Sequence, residues 1–126
     1  MPLSHPATLS RIVLQMARNP GTPFGEGDDR RGYVIVAPLD ADGRLDGEAF
    51  PALHAKCQVR HFADGEPPKT GTLSRRGHNW FIHYEGAGDE AGVHLGDHSF
   101  RVGDYVTFRD AGDHAWTYRV ADVKRA

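Results

Sequence analysis

The sequence is poor in several things that would announce a function. A single cysteine, Cys57, stands among 126 residues, so an internal disulfide is excluded and a reducing, cytoplasmic setting is the expectation. An excess of one charge is missing: 15 Lys and Arg against 17 Asp and Glu leave a net −2. The basic pairs Arg30–Arg31, Arg75–Arg76 and Lys124–Arg125 are diluted by acids, such as the Asp28–Asp29 before the first. A basic stripe interleaved with aromatics is absent too, so nucleic acid is not a favoured partner. The apolar run "IVLQMA" ends after six residues and is soon followed by Arg18, which predicts neither a signal peptide nor a membrane span.

Glycine, proline and short alternating runs are plentiful. The chain carries 15 Gly and 8 Pro, and they cluster in "NPGTPFGEGDDRRG" at 19–32, "ADGEPPKTG" at 63–71, "EGAGDEAG" at 85–92 and "DAGD" at 110–113. These stretches read as joints, the first as a long loop. Between them apolar residues recur with period two. Tyr33 to Ala37 form a β-branched run; Cys57, Val59 and His61 alternate with Gln58, Arg60 and Phe62. In "NWFIHYE" Trp80, Ile82 and Tyr84 share one face and Phe81, His83 and Glu85 the other, while Trp116, Tyr118 and Val120 share a face near the C-terminus. Each pattern is that of a half-buried strand.

Two segments are ambiguous. "LSRIVLQMARN" fits helix through Leu9, Ile12, Val13 and Met16, and strand through Ile12, Leu14 and Met16; strand is the reading adopted. "DGEAFPALHAKC" suggests a brief helix with Asp46 as its cap and Phe50, Leu53, His54 and Cys57 on its face, provided Pro51 falls in the first turn. With 25% charged and 39% hydrophobic residues the chain is neither disordered nor long enough for two cores. The expectation is one domain over residues 1–126, with residues 1–8 as a mobile tail. Its fold class is mostly β: a small antiparallel barrel of six to eight short strands with one short helix.

The stretches "GYVIVAPLDADG", "CQVRHF", "WFIHYEG", "DEAG", "HSFRVGDYVTF" and "HAWTYRVADV", from about Tyr33 to Val123, together resemble a small family of uncharacterised alphaproteobacterial proteins. No activity is assigned to that family, so the resemblance implies a small conserved domain and no catalytic residue.

Eight histidines are the remaining conspicuous feature. His5 reads as a tail residue, His54 as a partly buried helix residue, His61 as a strand neighbour of Val59 and His78 as a turn residue. His83, His98 and His114 come nearer to a pattern. In cupins, G-x5-H-x-H-x3,4-E-x6-G and G-x5-P-x-G-x2-H-x3-N gather three histidines and a glutamate on one metal. Here Gly77 leads to His83, Glu85 occupies the second histidine's place, Asp89–Glu90 bracket the acidic position, and Gly103 leads to His114. Imidazole with carboxylate suits Zn, Fe or Mn. The match fails at the central histidine, at Arg109 and Ala111 where proline and glycine belong, at Tyr118 in place of asparagine, and in the short interval from Gly96 to Gly103. No metal or other cofactor is therefore favoured.

Other chemistries fare worse. In "DADGRLD" glycine falls at the fourth position after Asp40, the wrong register for a calcium loop. No serine has nucleophile-elbow surroundings, and "GEGDDRRG" neither follows a clear strand nor opens a helix. Cys57 reads as a small buried thiol. Phe81, on the face away from the core, needs cover from the helix, a loop or a partner, the helix being the simplest source. The resulting expectation is a binding or protein-interaction module without catalysis. Its candidate residues are Phe81, His83, Glu85, His98 and His114, and its partner is a protein or a small ligand; a homodimer through exposed strand edges is compatible with it. A metal-binding barrel using His83, Glu85, His98 and His114 is the alternative.

Overall fold

A computed structural model describes residues 8–77, 79–84, 93–95, 99–109 and 114–126. Eight strands are present among them: β1 Thr8–Met16, β2 Asp28–Leu39, β3 Gln58–Ala63, β4 Glu66–Arg76, β5 Asn79–Tyr84, β6 Val93–Leu95, β7 Tyr105–Arg109 and β8 Ala115–Arg125. Each pairs antiparallel with the next, and β8 returns to β1, closing the barrel. This is the mostly β barrel the alternation predicts. The sequential order is that of an up-and-down barrel, whereas cupins are jelly rolls of two Greek keys. Closure also pairs β1 with β8, the two edges on which edge-to-edge dimerisation would depend.

The period-two faces sort as expected. Ile12, Leu14, Tyr33, Ile35, Val59, Leu73, Trp80, Ile82, Val106, Phe108, Tyr118 and Val120 are all buried in one cluster, and the first ambiguous segment is strand. One end of the barrel is closed by α1, Phe50–Leu53, and the 3-10 turn His54–Lys56 that continues it. Pro51 sits in the helix's first turn, where no intrahelical N–H is needed. Asp46 acts one step earlier than a cap of this helix: its Oδ1 accepts from the N–H groups of Glu48 and Ala49, and its carbonyl from Phe50 N–H. Phe50 then enters the interior against Trp80, joined by buried Cys57 and Phe100.

Three boundaries and the exposure of one side chain depart from the sequence reading. Thr8, placed in the expected tail, pairs with Leu39; residues 1–7 lie outside the described residues. The long loop ends at Gly27, because β2 begins at Asp28. Its pairing with β1 jumps from Gln15↔Gly32 to Met16↔Asp28, so Asp29, Arg30 and Arg31 form a bulge on the strand. Residues 66–70 of the "EPPKT" stretch are strand rather than joint. Among the described residues Glu66, Lys69 and Thr70 pair with β3, and Pro67 and Pro68 fall at the register shift between His61 and Ala63, an irregularity that tolerates proline. The joints at 85–92 and 110–113 lie outside the described residues. Finally, His54 is exposed, with Nδ1 3.0 Å from the Pro51 carbonyl, instead of partly buried.

Candidate binding surfaces

The predicted site residues do not all fall in one place. His83 pairs with Thr72 and lies half-buried on the outer face of β5, consistent with the core direction of Ile82 and Tyr84. Phe81 is also half-buried on that face. The Arg76 guanidinium lies 6.0 Å from the Phe81 ring, while Phe50 ties the helix to Trp80 in the interior. His114 is exposed just before β8, which is separated from β5 by β6 and β7 in the barrel order. Glu85 and His98 lie outside the described residues. Among the described residues, no three His, Cys, Asp or Glu side chains are grouped to hold a metal ion.

His83 instead borders a groove of about 490 Å³ that runs across the outside of β2 to β5. Val34 and Val36 form its apolar floor, with Gln58, Arg60, Thr70 and Thr72 around it. These residues converge because outward side chains on neighbouring strands stand side by side. Gly71 lets β4 and β5 approach closely beside the groove, since a Cβ there would collide with the His83 carbonyl. A volume of this size, mostly apolar with a few polar groups, is typical of small-ligand sites. A second, more polar hollow of about 640 Å³ lies beside β1 and β8, bordered by Arg18, Glu26, Asp28, Asp29, Tyr105 and Arg119.

The end of the barrel opposite the helix holds a cluster the sequence reading missed. The Tyr33 hydroxyl lies within electrostatic reach of those of Tyr84 and Tyr118, and the Tyr33 ring packs on Phe108 and Tyr118 at 5.7 and 5.2 Å. His61, paired with Tyr33, meets its ring at a tilt, centroids 4.9 Å apart. Burial drives the Tyr33 ionisation far above the ordinary tyrosine range, and the neighbouring tyrosines push it further. Tyr84 is raised by burial as well. His61 is held below the ordinary histidine pKa, first by burial and then by the positive charges of Arg31 and Lys69, against a smaller opposing effect of Glu66. A signal for this cluster was present: His61, Tyr84 and Tyr118 are polar-tipped rings on faces otherwise given to the core.

The loop before β2 folds over this end. Asn19, buried, fastens it by donating from Nδ2 to the Ala17 and Thr117 carbonyls and accepting the Thr117 N–H at Oδ1. That anchorage brings Phe24 edge-on to Trp116 at 5.9 Å, and the Arg31 guanidinium lies 4.5 Å above the Phe24 ring.

Cys57 is spent on packing. It is fully buried, its thiol donates to the Leu53 carbonyl, and burial raises its pKa, all of which oppose thiolate formation. Among the described residues, no helix is long and apolar enough to cross a membrane. No family model, curated protein or solved structure matches the chain.

Proposed function

We propose that this protein is a binding module without catalytic activity, which takes a small, partly apolar ligand in the groove across β2 to β5. The groove itself carries the reading: about 490 Å³ of concave surface, floored by Val34 and Val36 and edged by Gln58, Arg60, Thr72 and His83. A valine floor favours an apolar body through desolvation, while Arg60, Gln58 and His83 offer orienting hydrogen bonds. The rigid setting supports binding as well, because every groove strand is held by neighbours on both sides within the closed barrel. Cys57 lies in the interior with its pKa raised, which supports a role outside nucleophilic chemistry.

A fragment screen by NMR on the isotopically labelled protein tests this. Binding should displace the resonances of Val34, Val36, Thr70, Thr72 and His83 together, and the Thr72→Trp variant, which fills the groove, should abolish the response. Fragments should be recovered unchanged. Responses scattered over the barrel, or undiminished in Thr72→Trp, would refute the groove as the site. Turnover lost in His83→Ala would replace the binding reading by an enzymatic one.

A further inference from the structure

We propose that the barrel end opposite the helix is a second binding site, specific for a small organic anion: a carboxylate or phosphate monoester carried on an aromatic body. Tyr33 pairs with His61 and His61 with Lys69, so the three stand in a row across β2, β3 and β4 on one face of the sheet. The ring contact between Tyr33 and His61, with Tyr33 buried, identifies that face as the inner one. Arg31 reaches the same end from the bulge of β2.

Three observations say what this end would bind. First, the Arg31 Nε is buried and has no hydrogen-bond partner. Its Nη2 meets Glu66 only at 3.8 Å, beyond ordinary hydrogen-bonding distance. A buried N–H without an acceptor is costly, and a guanidinium is matched by carboxylate or phosphate oxygens. Second, the charged groups around His61 are unbalanced: Arg31 on β2 and Lys69 on β4 are positive, and Glu66 on β4 is the negative group that opposes them. Glu66 carries a 62% exposed side chain, so it stands at the rim as a displaceable partner for Arg31. Third, Phe24, Tyr33 and Trp116 surround this end with aromatic surface, suited to a flat ligand body. The site is independent of the outer groove, whose ligand would report at His83 and Val36 and leave His61 unchanged.

A bound anion must favour protonated His61, so the His61 titration reads the site directly. The ring resonances of His61 are followed against pH with benzoate, with phenyl phosphate, or with chloride alone at equal ionic strength. Benzoate or phenyl phosphate should raise the midpoint saturably, and the stronger of the two identifies the preferred headgroup. Lys69→Gln and Arg31→Gln should each weaken binding about tenfold, the loss expected for one charge-assisted hydrogen bond. Glu66→Gln should strengthen it by removing the competing carboxylate. An unmoved midpoint at millimolar concentrations of both anions would overturn the proposal. So would an equal shift with chloride, or unchanged affinity in Lys69→Gln. Because Lys69 is exposed, that variant keeps the test decisive even if Arg31→Gln fails to fold.

Discussion

Phe50 meets Trp80 edge to face, with ring centroids 5.1 Å apart and planes at 78°, and this contact fastens the short helix into the barrel. A four-residue helix has no stability of its own. Its position depends on Phe50 inside, on the Asp46 turn before it, and on Arg75, which donates from Nη1 to the Gly47 carbonyl while lying 5.4 Å from the Trp80 ring.

Trp80→Ala should therefore act twice, by opening a cavity in the barrel and by releasing the helix. Losing a buried tryptophan costs about 3–5 kcal/mol, against a total of about 5–15 kcal/mol for a domain. Chemical denaturation should show an unfolding free energy lower by that amount, and with it a lower midpoint. Phe50→Ala should give a smaller loss and make the amides of Phe50 to Lys56 exchange rapidly while the strands stay protected. An unchanged midpoint in Trp80→Ala would mean that the faces of β5 are reversed.

Gly71→Ala should destabilise the junction of β4 and β5 out of proportion to one methyl group. The added Cβ would meet the His83 backbone carbonyl and crowd the Tyr84 ring at 3.2 Å. Backbone cannot step aside as a side chain can, so the ladder itself must shift. The expected result is a loss of about 1–3 kcal/mol, as for overpacked sites, with resonance changes centred on His83 and Tyr84. A fully stable Gly71→Ala variant with wild-type spectra would show that the two strands lie further apart than described.

Much of this architecture was legible because a half-buried strand writes its orientation into alternate residues. Trp80 and Ile82, or Tyr118 and Val120, lie inside because every second position is apolar. Register is not written that way. Tyr33, His61 and Tyr84 are far apart in the chain, and only the pairings Tyr33↔His61 and Gly71↔Tyr84 bring them to one end. His61 consequently read as a mere neighbour of Val59. The proline stretch of β4 was illegible for a related reason: Pro67 and Pro68 forbid a regular central strand, but they fall at a register shift in the β3 ladder, where that rule is relaxed. The histidine-and-carboxylate pattern led toward a single rim, whereas His83 lies on the outer groove and His114 immediately precedes β8.

That separation bears on metal. Two histidines so placed, without a third ligand among the described residues, offer a cation weak purchase. Zn²⁺ or Mn²⁺ added to the protein lacking an affinity tag should leave the melting temperature unchanged. A native-state ligand at a hundredfold its Kd would add about 2.7 kcal/mol, an easily measured shift. Stoichiometric metal lost in both His83→Ala and His114→Ala would contradict this expectation.

The tyrosine cluster should leave its mark on stability at high pH. Tyr33 and Tyr84 have raised pKa values in the folded state, so the folded protein keeps protons that the unfolded chain releases near pH 10. Their contribution is fully present below the unfolded pKa and declines as pH rises above it. The slope is about 1.4 kcal/mol per pH unit for each retained proton. His61 acts at the other side: its pKa is lowered on folding, so the unfolded chain takes up a proton first and stability falls as pH drops below about 6.5. Cys57, whose pKa burial also raises, adds to the alkaline loss from about pH 8.5, so denaturation measured across pH should give a plateau between about pH 7 and 8, with separate losses on each side. Tyr33→Phe should flatten the alkaline limb, because it removes a hydroxyl whose pKa is raised in the folded state. His61→Gln should flatten the acid limb alone. The slopes discriminate where the plateau does not, since any core substitution lowers stability but only a titrating group changes its dependence on pH. An alkaline limb as steep in Tyr33→Phe as in the parent would show that Tyr33 does not retain its proton in the folded barrel.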